Sequence, residues 1–170
     1  HTLTGLALRQ GVLAGVKSID SGPQALKLYM EMCARCGTCA TQCPVYQGEA
    51  TKDRNPVIRT DLIRAIYKKY QTWSGKFIGM LDGAGDFDGD MERWVKMFYE
   101  CTGCRRCATF CPFGIDNSVV TRKGRGIADA LGYTPERLQK VIEISLKTGN
   151  TDGAGEVAFM ECVKFLEEEI

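Results

Sequence analysis

Two runs of cysteine carry the chemistry this chain can do. The first is Cys33-Ala-Arg-Cys36-Gly-Thr-Cys39-Ala-Thr-Gln-Cys43-Pro44 and the second is Cys101-Thr-Gly-Cys104-Arg-Arg-Cys107-Ala-Thr-Phe-Cys111-Pro112. Both read C-x2-C-x2-C-x3-C-P, the spacing that wraps a [4Fe–4S] cubane in bacterial-type ferredoxins. The offset between the runs is constant: Cys33 answers to Cys101, Cys36 to Cys104, Cys39 to Cys107 and Cys43 to Cys111. Ala40-Thr41 recurs in the same register as Ala108-Thr109. Three cysteines, each separated from the next by two residues, let a tight loop reach three iron corners with backbone N–H groups turned inward. The fourth follows about one helical turn later, and the next proline ends the segment.

In two-cluster proteins of this type the fourth cysteine serves the other cluster. The expected ligand sets are therefore Cys33, Cys36, Cys39 and Cys111 for one cluster, and Cys101, Cys104, Cys107 and Cys43 for the second. Such an exchange staples the two halves together and keeps the clusters within electron-transfer range. Competing chemistries fit less well. Zinc sites separate two C-x2-C pairs by a longer loop and often use histidine. Here four cysteines crowd between Cys33 and Cys43, and four more between Cys101 and Cys111, while the only histidine is His1. A Rieske centre needs two histidines. Small disulfide scaffolds are shorter and do not repeat this phrase.

The 170 residues, 44% hydrophobic and 25% charged, describe an ordinary globular chain. The formal charge of +1 counts every thiol as neutral. Two oxidised cubanes with four thiolates each bring it to about −3, which gives the many Lys and Arg residues near the motifs a compensating role. Reduced thiolates point to the cytoplasm or its membrane face. No apolar run approaches the length of a bilayer-crossing helix, so no transmembrane segment is expected, nor is a secretory signal. Nothing suggests nucleic acid as a partner.

Helices must position the two runs. Residues 1–20 read as an amphipathic helix with Leu3, Leu6, Leu8, Val12, Leu13 and Val16 on one side, weakened by Gly11 and Gly15; it packs on its own domain or docks on a partner. Ser21-Gly-Pro23 opens a helix that runs into Cys33. Asn55-Pro56 starts another, with an apolar stripe from Val57 to Tyr70 and Arg59, Arg64, Lys68 and Lys69 on a solvated face. Residues 82–90 resemble a calcium loop but place Met91 and Met97, or Phe87 and Arg93, where glycine and glutamate are required; an acidic turn is expected.

Asp90 caps a helix with Trp94, Val95, Phe98 and Tyr99 that leads into Cys101. Arg105 and Arg106 stand ready to stabilise a reduced cluster or to meet an acidic partner. Helices follow over Val119–Leu131, from Thr134-Pro135 to Gly149, and through Val157–Leu166. Cys162 on the last of these is expected in the core. The organisation is a segment 1–20, a di-cluster domain 21–150 and a terminal helix 151–170, and the fold class is all-α.

The long stretch between Cys43 and Cys101 reads as helices, unlike compact bacterial ferredoxins. The arrangement resembles the α-helical ferredoxins, the group that includes the cluster-carrying part of fumarate reductase and heterodisulfide reductase subunits. It is most similar to heterodisulfide-reductase-like iron–sulfur proteins, including the subunit of sulfate-reducer membrane redox complexes. The likeness is sharpest over Leu28–Cys33, Ile58–Arg64, Phe98–Cys107 and Cys111–Asp116. It implies a helical bundle with two [4Fe–4S] clusters on the eight motif cysteines. The implied role is electron relay between a membrane cytochrome or quinol-oxidising subunit and a cysteine-rich reductase subunit. The family's disulfide-reducing site uses adjacent cysteine pairs, and this sequence has no Cys-Cys. Two alternatives remain: the N-terminal domain of a longer disulfide or sulfur-substrate reductase, and a zinc-bound structural module.

Overall fold

The computed structural model describes residues 5–20, 22, 24–71 and 90–169, with the side chains of 69 and 70 aside. The acidic turn expected over 82–90 lies outside these but for Asp90, as do Ser21 and Pro23. Every regular element among the described residues is helical. The chain divides into two compact units, residues 1–133 and 134–170.

In the first unit α1 (Gly5–Lys17), α2 (Gln24–Met32), α3 (Thr38–Thr41) and α4 (Pro44–Gly48) precede a short 3-10 turn, Lys52–Arg54. Then come α5 (Pro56–Gln71), α6 (Met91–Tyr99), α7 (Arg106–Thr109) and α8 (Asn117–Ala130). The long helices start where their caps dictate. The Asn55 side chain accepts from Val57 N–H at 2.9 Å ahead of Pro56, and Asp90 accepts from Arg93 N–H at 2.9 Å. Helix α8 begins at Asn117, ahead of the expected Val119, because Asp116 caps it by accepting from Ser118 N–H at 2.8 Å.

Helices α1, α5, α6 and α8 surround one core. Helix α1 contributes Leu8, Val12 and Val16, a strict i, i+4, i+8 row, so it packs on its own unit, while Leu6, expected on the same side, is exposed. Its two glycines are contact sites: a Cβ at Gly11 would sit 2.2 Å from Leu131 Cδ2, and one at Gly15 would sit 2.8 Å from Ile127 Cγ1. They let α8 lie close against α1. Helix α6 is anchored by Trp94, whose indole N–H donates to the Gly124 carbonyl of α8 at 3.0 Å.

The stripe of α5 buries Ile63, Ile66 and Tyr67, and with them Arg59 and Arg64, which are 2% and 9% exposed. The solvated face expected for these two arginines is corrected by helical phase. Arg59 stands at i−4 from Ile63 and Arg64 at i−3 from Tyr67, so both point the way the core does.

The second unit holds α9 (Glu136–Thr148) and α10 (Glu156–Glu168). Gly149 ends α9 in the left-handed conformation, φ 78°. Neither helix has a buried residue. Cys162, expected in the core, is exposed on α10.

Candidate metal centre

Each long helix stops at its loop. Helix α2 ends at Met32, immediately before Cys33, and α6 ends at Tyr99, just short of Cys101. The loops then repeat one backbone. Arg35 and Gly37 take left-handed φ of 57° and 82°, and their counterparts in the second run, Gly103 and Arg105, take 70° and 61°. Both loops need the left-handed region at the same two places, and the sequence meets it with one glycine and one arginine in opposite order. The arginine costs about 1–2 kcal/mol each time. Both are held by carboxylates: Arg35 Nε to Asp61 Oδ1 and Arg105 Nη2 to Asp116 Oδ2, each at 2.8 Å. Arg105 is therefore paired within the chain.

Alternating conformations of this kind turn successive N–H groups toward a common centre. The middle cysteine of each loop shows the result. The Thr38 hydroxyl, then its N–H, lower the pKa of Cys36, and the Arg106 N–H lowers that of Cys104. Residues 38 and 106 are again counterparts. Both of these cysteines are exposed.

Helices α3 and α7 pack together and bring the third cysteines, Cys39 and Cys107, to the interior of the pair. Burial pushes each of these thiols up to about 11, with neighbouring sulfurs adding to the effect. Those neighbours sort into two sets. Cys39 feels Cys33, Cys111 and Cys36 as well as Cys107, while Cys107 feels Cys101 and Cys43. Cys33, Cys36, Cys39 and Cys111 also line one small cavity, partly open to solvent, with Val57, Phe113 and Ile115 on its apolar wall. Cys111 thus shares a cavity with the first run, and Cys43 is among the sulfurs that Cys107 of the second run feels.

This donor set fits an iron–sulfur cluster: several thiols around a space, N–H groups aimed at sulfur, and an apolar wall. Among the described residues no three His, Cys, Asp or Glu side chains gather closely enough to hold a single ion.

Arg64, expected on a solvated face, and Arg125 position the loops. Arg64 of α5 donates to the Cys33 carbonyl at 2.8 Å and pairs with Asp61 at 3.3 Å. Arg125 of α8 donates to the Phe98 carbonyl at 3.0 Å and to the Cys101 carbonyl, and its guanidinium lies 5.2 Å from the centroid of the Tyr99 ring. The first carbonyl of each loop is thus tied to a long helix. Charged hydrogen bonds of this sort contribute about 1.5–3 kcal/mol. Arg64→Ala is expected to raise amide exchange over residues 33–37 and leave 101–105 protected, with Arg125→Ala doing the reverse. Equal exchange at both loops in either variant would contradict this.

Residues 29–115, which span both cysteine runs, match the family described as 4Fe-4S dicluster domain. The chain belongs to that family. The dicluster domain has curated relatives in two archaea. The Hdr-like menaquinol oxidoreductase iron-sulfur subunit 2 of Archaeoglobus fulgidus is 38% identical over 139 residues, which is 81% of this chain and 25% of the relative. The Hdr-like menaquinol oxidoreductase iron-sulfur subunit of Archaeoglobus profundus is 36% identical over 140 residues, 82% of this chain and 25% of the relative. The chain therefore spans about a quarter of the length of these relatives. No solved structure matches it. The expected likeness to heterodisulfide-reductase-like iron–sulfur proteins is borne out.

Proposed function

We propose that the chain is a two-cluster electron relay of α-helical ferredoxin type. Cys33, Cys36, Cys39 and Cys111 hold one [4Fe–4S] cluster, and Cys101, Cys104, Cys107 and Cys43 hold the second. The observation that carries this is the sorting of the cysteines, with Cys111 on the wall of the first cavity and Cys43 beside Cys107. A bound cluster supplies a one-electron couple whose potential the protein sets by burial, hydrogen bonds to sulfur and nearby charge.

The residues of this chain do the rest. Arg64 and Arg125 fix the loops, the N–H groups of Thr38 and Arg106 face the middle sulfurs, and Val57, Phe113 and Ile115 give the first site an apolar wall. Cys39 and Cys107 stand on α3 and α7, which pack together, so the path between sites is short. Cys36 and Cys104 face outward and give each site an edge where a partner exchanges electrons.

The partners in this reading are a membrane cytochrome or quinol-oxidising subunit on one side and a cysteine-rich reductase site on the other, at the cytoplasmic face of a membrane. The quinol side is supported by the names of the archaeal relatives. No helix among the described residues is long and apolar enough to cross a membrane. A second reading makes the chain the electron-delivering portion of a longer disulfide or sulfur-substrate reductase, which the quarter-length coverage of the relatives favours.

Anaerobic reduction tests the relay. Dithionite is expected to bleach the visible absorbance. The fully reduced protein should then give an EPR spectrum broadened by coupling between two nearby spins, where partial reduction gives one simple signal. A single uncoupled signal at full reduction would contradict two neighbouring sites.

A further inference from the structure

The first turn of α5 lies beside the first site. Val57 lines the first cavity. Arg59, two positions on and about 200° round the helix, is turned away from that cavity into the interior. It reaches toward the second loop: Arg54, whose carbonyl it binds, grips Glu100, the residue before Cys101, at 2.9 Å.

Arg59 is an expensive residue to bury. It is 2% exposed, and a buried guanidinium costs several kcal/mol unless an anion and hydrogen bonds compensate it. Its Nη1 donates to the neutral Arg54 carbonyl at 3.1 Å. Its Nε has no partner, and it is the one buried side-chain nitrogen or oxygen of which this is true among the described residues. The carboxylates nearby are engaged elsewhere: Glu100 accepts from Arg54 Nε at 2.9 Å, and Asp116 pairs with Arg105 at 2.8 Å.

We propose that Arg59 is the internal cation of the second site: its Nε–H donates to a sulfur of the cluster held by Cys101, Cys104, Cys107 and Cys43, and its charge raises that cluster's potential above that of the first. The proposal rests on the two-cluster reading above. Of the loop arginines, Arg35 and Arg105 balance, one per loop and each matched by an aspartate, while Arg106, where the first loop has Thr38, is exposed and screened by solvent, so the internal difference lies elsewhere. What differs is the face α5 presents, Val57 to one site and Arg59 to the other. Reduction adds one negative charge, which a fixed neighbouring cation and an N–H···S bond favour. An electron entering the chain therefore rests on the second cluster.

The test is a redox titration of the anaerobically reconstituted full chain, followed by EPR, for the native protein, Arg59→Gln and Arg59→Lys. Arg59→Gln should move the higher-potential wave down, lowering the reduced-to-oxidised ratio at fixed potential at least tenfold, or about 59 mV for a one-electron couple. The other wave should stay. Arg59→Lys keeps the charge and loses the planar Nε–H, so it should move the same wave by less, and it serves if the Gln variant does not assemble. The wave that moves should be the one that Cys104→Ser removes. Two unmoved waves, or movement of the wave that Cys36→Ser removes, would overturn the role of Arg59 and leave the two-cluster reading intact. A native protein with no iron would instead overturn that reading.

Discussion

Replacing Cys43 by serine is expected to strip the site built on Cys101, Cys104 and Cys107, far away in sequence, and to spare the site whose cysteines immediately precede it. Iron should fall from about eight to about four per chain. Cys43 is buried at the start of α4, where its carbonyl accepts from Gln47 N–H, and its sulfur is among the neighbours that raise the Cys107 thiol. Cys111→Ser should strip the opposite site, since Cys111 shares a cavity with Cys33, Cys36 and Cys39. Double variants make the result independent of any spectral assignment. Residues that hold one cluster act as a unit, so their losses do not add. Cys43→Ser with Cys104→Ser should cost no more iron than either alone. Cys43→Ser with Cys36→Ser should cost nearly all of it. The reverse pattern, measured by iron analysis of anaerobic protein, would mean that each run keeps its own fourth cysteine.

The largest loss of stability outside the cysteines is expected at Trp94. It is 1% exposed, lies 4.9 Å from Phe98 between ring centroids, and bonds the Gly124 carbonyl. Removing a buried ring of this size costs about 3–5 kcal/mol, a large share of the roughly 5–15 kcal/mol that holds a domain together. Collapse cannot recover much of it. A Cβ at Gly124 would already stand 2.4 Å from the Phe98 ring, so α6 and α8 are as close as their side chains allow. Trp94→Ala should lower the urea midpoint by the equivalent amount. Trp94→Phe should fall between, because it keeps a ring but loses the indole hydrogen bond to Gly124, worth about 0.5–1.5 kcal/mol. Because α6 runs into Cys101 and α8 carries Arg125, the second loop should loosen before the first. A midpoint change worth less than about 1 kcal/mol for Trp94→Ala would show that this contact does not hold the bundle.

Much of this was legible in the residues. Cysteine spacing is a covalent requirement of the group bound, so the two runs and their constant register speak for themselves. The starts of α5 and α6 were legible for a local reason: Asn55-Pro56 and Asp90 satisfy N–H groups within their own turn. What was hidden depends on neighbours from elsewhere in the chain. Gly11 and Gly15 read as weak points of a helix, and only the approach of Leu131 and Ile127 makes them contact sites. Arg59 and Arg64 read as solvated because their charge outweighed their phase on the helix, although their spacing from Ile63 and Tyr67 carried the signal. Cys162 and the apolar residues of α9 and α10 show the same limit from the other side. An apolar stripe says that a face prefers cover and not that the chain supplies it, and both helices leave theirs exposed.

The exchanged fourth cysteines and the internal arginine all presuppose eight thiolates gathered into two inorganic sites. Quantifying iron and acid-labile sulfide in anaerobically prepared protein, alongside zinc and circular dichroism, tests that most directly. About eight iron and eight sulfide per folded chain is the predicted result. A helical, folded chain with no iron, or with two zinc in its place, would contradict it.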